Sequence, residues 1–259
     1  MFSRRLLCLL MGVLTYWEGA TLTASPIRIA VASSLQPAMG EIIRQFDEAN
    51  GGSGLVVASY GASGKLATQV IQGAPFHLLI TADLDSSRRV VTSGKARGEP
   101  VPCAVGRLIL VAKGPESMGA DLSDILDEGI LRIALPNPEV APNGKLAMTI
   151  MENAGILEAV RSRIVITQNV GQAAQYFMTG VVDAAWIGQS ALREVQSRLE
   201  VRVLSFPEGA SDQIIYPMLC LLFGTPDEHR MTDVFSDFML SDTSQGILEL
   251  YGYHHPSAL

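Results

Sequence analysis

Short runs of consecutive apolar residues alternate along the chain with stretches in which apolar side chains recur every three or four positions. Residues 27–32 form the first such run and predict a strand. Leu35, Ala38, Met39, Ile42, Ile43 and Phe46 follow at helical spacing, the mark of an amphipathic helix. Strands are predicted at 55–59 and 78–81, around a helix over 66–71 that Gly73 and Pro75 stop. The run 108–112 is strongly β-prone and is closed by Lys113-Gly114. A second series then begins: strands at 133–135, 165–167, 184–187 and 201–204, and helices at 145–154, 172–178 and 190–196. A long apolar strand over 214–223, interrupted by Pro217, precedes two helices over 228–240 and 243–251. Strands alternating with helices imply an α/β fold whose parallel sheets are covered on both faces. Two such series imply two lobes, with 108–112 and 214–223 as links and the last helices returning to the first lobe. Ligands of open α/β sheets bind beyond the carboxyl ends of the strands, where helices begin.

The chain has 259 residues, 48% hydrophobic and 17% charged, which excludes a disordered chain. Its net charge of −7 comes without a basic stripe, so no nucleic-acid partner is expected. Any anion site must therefore act locally, against the field of the whole molecule. Arg4 and Arg5, the apolar stretch 6–17 and the small residues Ala20 and Ala24 read as a signal peptide over 1–24. That apolar stretch is too short to span a bilayer, which takes about 20 residues. Cys8 leaves with the signal; Cys103 and Cys220 enter an oxidising compartment, either as a pair or as two buried thiols. The four histidines are scattered, with no Cys/His spacing suited to a metal.

The candidate chemistry lies where strands give way to helices. Ala32-Ser33-Ser34-Leu35, Tyr60-Gly61-Ala62-Ser63-Gly64, Pro142-Asn143-Gly144-Lys145 and Asn169-Val170-Gly171-Gln172 each put small or polar residues at a helix start. Backbone N–H groups there lack internal partners, and the macrodipole adds partial positive charge. Such ends bind anions without Lys or Arg. The competing explanation is plain helix capping, for which Ser is among the best residues. Lys65 and Lys145, just past two of these starts, read as solvated surface lysines.

At these residues the sequence resembles the periplasmic molybdate-binding proteins of ABC transporters. Ala32-Ser33-Ser34-Leu35 with Met39 is similar to that family's first motif, Ala-Ala-Ser-Leu followed by Met, and Tyr60-Gly61-Ala62-Ser63-Gly64 with Leu66 to its second. Gly73-Ala74-Pro75 with Ala82-Asp83, Asn137-Pro138 with Ala141-Pro142-Asn143-Gly144, and Asn169-Val170 continue the series. Phe206-Pro207, Tyr216-Pro217 and Leu250-Tyr251-Gly252-Tyr253 complete it, so the resemblance spans nearly all of 27–253. It implies a two-lobed type II periplasmic-binding-protein fold with two crossover strands and a ligand cleft between the lobes. The implied division is a signal peptide over 1–24, a first lobe over 25–106, a second over 107–213, and 214–259 as crossover strand and return. Ser34 and Ser63 would offer hydroxyls and backbone N–H groups; Asn143 and Val170 would offer backbone N–H groups alone.

The resemblance further implies binding without catalysis: capture of molybdate, with tungstate competing, in the periplasm, and delivery to the membrane subunits of an ABC transporter by a monomer. Molybdenum would enter only as the bound oxyanion, and no cofactor is expected. Two positions depart from the family. Ile187 stands where many relatives carry a ligand-contacting Tyr, and His77 where they usually carry Asp. Trp186 is read as core or cleft wall. The rival functions are binding of sulfate or phosphate on the same fold, a sensor domain for the same ligand, and a serine hydrolase using Ser34 or Ser63. The last lacks a complete Gly-x-Ser-x-Gly elbow, because Lys65 stands at its final position.

Overall fold

The computed structural model describes residues 25–115, 121–206 and 213–258, so the signal sequence and Pro207 lie outside the described residues. The first series runs β1 (Ile27–Ala32), α1 (Gln36–Ala49), β2 (Val56–Gly61), α2 (Ser63–Ile71), β3 (Leu78–Ile80) and α3 (Leu84–Thr92). The long β4 (Val101–Lys113) leads to β5 (Ile133–Pro136), α4 (Pro142–Asn153), α5 (Leu157–Val160), β6 (Ile164–Thr167) and α6 (Val170–Met178). Then come β7 (Ala184–Gly188), α7 (Leu192–Arg198), β8 (Val201–Leu204), β9 (Gln213–Cys220), α8 (Pro226–Met239) and α9 (Asp242–Leu250).

The strands lie in the order β2-β1-β3-β9-β4-β7-β5-β6, with β8 added on β4. In one lobe β1 pairs in parallel with β2 and β3; in the other β5 pairs in parallel with β6 and β7. Two antiparallel strands pass between them. The first part of β4, Val101 to Arg107, pairs with β9, and Leu108 onward pairs with β7 and β8. β9 in turn reaches β3 through Met218 to Cys220.

Burial on both faces explains why the central strands β3, β5 and β7 read as apolar runs. In the first lobe Ile27, Ile29 and Val31 pack under α1, α8 and α9, with Met39, Phe46, Phe235 and Leu248. Ala30 and Leu79 turn to the other face, against Leu66 and Val70 of α2 and Val90 of α3. Phe46 meets Phe235 and Phe238 edge to face, at 5.0 and 5.4 Å, which ties α8 back onto α1. The second lobe repeats this two-sided plan. Leu108, Leu110 and Trp186 face α4, whereas Ile109, Val111 and Ile187 face Phe177 of α6 and Val195 of α7.

Several elements differ from the sequence reading. α3 is absent from it, because Leu-Asp-Ser-Ser-Arg-Arg-Val-Val-Thr carries too few apolar residues to show a helical period; Asp83 caps it by accepting from the Ser86 N–H at 2.6 Å. β4 extends back to Val101, and β9 ends at Cys220 instead of 223. Pro102 faces Pro217 across that pair, and the ladder is irregular between Pro102 and Ala104, where neither proline has an N–H to give. α2, α4 and α6 begin two or three residues earlier than the apolar periodicity marks. Those extra first turns contain Ser63, Asn143 and Val170.

Cys103 and Cys220 are free thiols. Cys103 sits opposite the Tyr216–Pro217 step and donates to the Tyr216 carbonyl at 3.2 Å, while Cys220 lies three residues further along β9, beside Leu78. At about 3.3 Å per strand residue this puts them roughly 10 Å apart, beyond the ~7 Å that a disulfide spans. Burial pushes the Cys103 thiol up to about 12.

Candidate functional site

Helix starts from the two lobes converge on one cavity. Ser33 and Ser34 lie in a 3-10 turn between β1 and α1, and Ser63 is the first residue of α2. Asn143 and Val170 open α4 and α6. All of these line the same cavity, of about 10 Å³, with Asn169 at its edge. That is the room of about one water. Among the described residues, no lysine, arginine, histidine or carboxylate lines it. The cleft opens outward on both sides, into one groove that holds Arg89 and Lys145 and another that holds Gln172 and Glu194. Lys65 and Lys145 are exposed.

Neither serine is a cap. The residues at the N-cap positions are Ala32, Ala62 and Ala141, and none makes a side-chain cap bond. Only α6 has a side-chain cap among these, Asn169 accepting from Gln172 N–H at 2.9 Å. The first-turn N–H groups of α2 and α4 at the cavity thus have no side-chain acceptor from the preceding residue.

The two hydroxyls are held in matching ways. Ser34 Oγ accepts from the Tyr216 hydroxyl at 2.8 Å, and Ser63 Oγ accepts from the Ala82 N–H at 2.8 Å. A hydroxyl whose oxygen is already engaged has its own proton left to give, so both serines are set to donate. The Ser34 carbonyl is held as well, by Ser190 Oγ at 2.8 Å and the Tyr253 hydroxyl at 2.6 Å. Tyr216 and Tyr253 meet edge to face at 5.5 Å. Gly106 of β4 makes room for them: a Cβ there would lie 2.8 and 2.9 Å from the two rings. Burial pushes the Tyr216 pKa up to about 12 and that of Tyr253 well above its ordinary value, so both remain protonated donors.

Two direct bonds tie the lobes together beside the cavity. Ser190 of the second lobe donates to Ser34 of the first, and Gly64 N–H donates to the Val140 carbonyl at 3.0 Å. A Cβ at Gly64 would sit 3.0 Å from that same oxygen, so a side chain there would wedge the lobes apart. Tyr216, Tyr253 and Ser190 lie far from Ser34 in sequence, and nothing in local patterning marks them as its neighbours.

The two departures from the family fall away from the cavity. Ile187 is buried in the second lobe's core with Val111 and Phe177. Trp186 points to the opposite face of β7, is fully buried and stacks on Phe206 at 5.4 Å, which makes it core and not cleft wall. His77 precedes β3, at the end of the strand opposite the cavity. Its Nδ1 accepts the Arg28 N–H at 2.8 Å, an acceptor's role that a carboxylate would also fill. Burial holds its pKa below the ordinary value, outweighing the opposing attraction of Glu228, 3.7 Å away. The native protein therefore binds this proton less readily than the unfolded chain does. The stability linked to His77 is present above the unfolded-state pKa of about 6.5 and is lost as pH falls below it. Melting curves between pH 8 and 5 should fall more steeply for the native protein than for His77→Asn, which keeps an acceptor without the charge. Parallel curves would refute this.

The signature of the bacterial extracellular solute-binding proteins matches residues 27–254. The chain is 27% identical over 237 residues to the molybdate-binding protein ModA of Rhodobacter capsulatus, an alignment covering 89% of this chain and 88% of that one. Its fold matches the periplasmic molybdate-binding protein of Azotobacter vinelandii with a TM-score of 0.79 at 22% identity, over 89% of this chain and 99% of the other. It also matches the sulfate-binding protein SubI of Mycobacterium tuberculosis H37Rv, with a TM-score of 0.73 at 19% identity, over 90% and 87% of the two chains. With this signature running through both lobes and the crossover strands between them, the chain belongs to the bacterial extracellular solute-binding protein family.

Proposed function

We propose that this protein captures molybdate, and tungstate in its place, in the periplasm and delivers it as a monomer to the membrane subunits of an ABC transporter. The observation that carries the reading is the cavity onto which Ser34, Ser63, Asn143 and Val170 converge, lined by donors and, among the described residues, free of ionised side chains. Residues 25–106 with 214–259 would form one lobe and 107–213 the other. The dianion enters the open cleft and the lobes rotate about β4 and β9. The Ser190–Ser34 and Gly64–Val140 bonds then hold the closed state. Ser34 and Ser63 donate their hydroxyl protons, and the first turns of α2, α4 and α6 donate backbone N–H groups. Each such charge-assisted bond is worth about 1.5–3 kcal/mol net.

A lining of donors favours an ion with no proton of its own. Phosphate near neutral pH carries a proton that needs an acceptor, and among the described residues no carboxylate lines the cavity. Molybdate is preferred to sulfate on the strength of the molybdate-binding relative, and the preference would arise from size, because fixed donors suit one ionic radius best. Sulfate binding is the second reading, favoured by the fold's likeness to a sulfate-binding protein. A hydrolase is disfavoured, since no histidine lines the cavity to serve as a base for either serine.

Titration calorimetry with molybdate, tungstate, sulfate and phosphate tests the assignment. Molybdate and tungstate should bind most tightly and phosphate should not bind. Molybdate at a hundredfold excess over its Kd should stabilise the fold by about 2.7 kcal/mol, raising the melting temperature by roughly 5–10 °C. Equal affinity for sulfate would replace the ligand, and an unchanged melting temperature with all four ions would remove the oxyanion reading altogether.

A further inference from the structure

At three of the four positions the proposed contacts need only a hydroxyl or a backbone N–H. Asn143 offers something more. The residue is 3% exposed and lines the cavity, and its Nδ2 is buried without a hydrogen-bond partner. A carboxamide N–H group left in that condition destabilises the fold on its own account, unless an acceptor reaches it from the cavity side. Its surroundings provide at most one acceptor for its two N–H bonds: the Tyr216 hydroxyl beside it gives its own proton to Ser34 Oγ and can take one carboxamide N–H on its oxygen, which leaves the other for the cavity. The side chain also has little freedom to turn away. Asn143 sits in the first turn of α4, between Pro142 at the helix start and Gly144, whose backbone is pressed against the Pro136 carbonyl.

We infer that the Asn143 side chain is itself a ligand of the bound oxyanion, donating through Nδ2 in addition to its backbone N–H. This rests on the oxyanion reading above. It makes residue 143 a determinant of specificity, because an uncharged donor accepts a fully deprotonated dianion, whereas a carboxylate of the same shape would repel it. The residue's identity then matters, which a backbone contact alone would not require.

The test compares the native protein with Asn143→Leu and Asn143→Asp, both near the native shape, by calorimetric titration with sodium molybdate. Asn143→Leu keeps the backbone N–H and should lose roughly ten- to a hundredfold in affinity, the value of one hydrogen bond to a charged group. Asn143→Asp should lose more at pH 8 and recover part of the loss as pH is lowered, because protonation removes the like charge and restores a donor. An Asn143→Leu affinity within twofold of native would overturn the assignment while leaving the oxyanion reading intact. Failure of the native protein to bind any of the four oxyanions would overturn both. A readout on the native protein covers the case in which the variants do not fold. The assigned Asn143 side-chain ¹⁵N–¹H resonances should shift on adding molybdate, and resonances that stay in place would overturn the inference.

Discussion

Ser34→Ala combined with Ser63→Ala is expected to weaken molybdate binding by about a hundred- to ten-thousandfold, the loss of two charge-assisted bonds at about 1.5–3 kcal/mol each. The estimate depends on the serines giving protons to the ligand, and their fixed acceptor partners are the reason to expect it. With Tyr216 on one oxygen and the Ala82 N–H on the other, neither hydroxyl needs to turn its proton back into the protein. The same partners introduce a side effect. Each alanine leaves one buried donor without an acceptor, at a cost of about 1–3 kcal/mol to stability. Adding Tyr216→Phe removes one of these orphaned donors, so it should recover part of the melting temperature and none of the affinity. Calorimetry and thermal melts on the double and triple variants check both statements. Native affinity in the folded double variant would mean that the hydroxyls serve the fold alone.

The sequence carried the architecture because its cores are two-sided. Runs such as Ile29 to Ala32 are buried on both faces and need no alternation to be recognised, and α1 shows its period because it lies over one face only. The hidden elements have physical excuses. α3 is held by a cap and a few apolar contacts, and the first part of β4 contains Pro102 and Gly106, both poor strand formers in isolation. The site was less legible. Serines before helices look like caps, and only the placement of Ala32, Ala62 and Ala141 at the actual N-cap positions removes that explanation. The groups that aim Ser34 come from 182 and 219 residues further along, where no local pattern connects them to it. Motif comparison puts Ile187 at a ligand position, yet its side chain faces the second lobe's core, and it is Tyr216 and Tyr253 that bring hydroxyls to Ser34.

Among the glycines described, Gly144→Ala should be the most damaging substitution. A Cβ at that position would lie 1.9 Å from the Pro136 carbonyl oxygen and 2.7 Å from its carbon, both backbone atoms that cannot rotate aside. Either the first turn of α4 or the end of β5 must move. Overpacking of this kind costs about 3 kcal/mol, which for a chain of this size lowers the melting temperature by roughly 6–12 °C. The same displacement would carry the Asn143 N–H and carboxamide away from the cavity, so molybdate affinity should fall at least about tenfold, the worth of one lost charge-assisted bond. Gly40, on the exposed side of α1 with nothing within 4 Å of its would-be Cβ, provides the opposite control. Gly40→Ala should stabilise the protein by about 0.5–1 kcal/mol, through helix propensity alone, and leave binding untouched. If Gly144→Ala melts and binds like the native protein, then α4 does not meet β5 as closely as this structure has it, and the placement of Asn143 at the cavity loses its support.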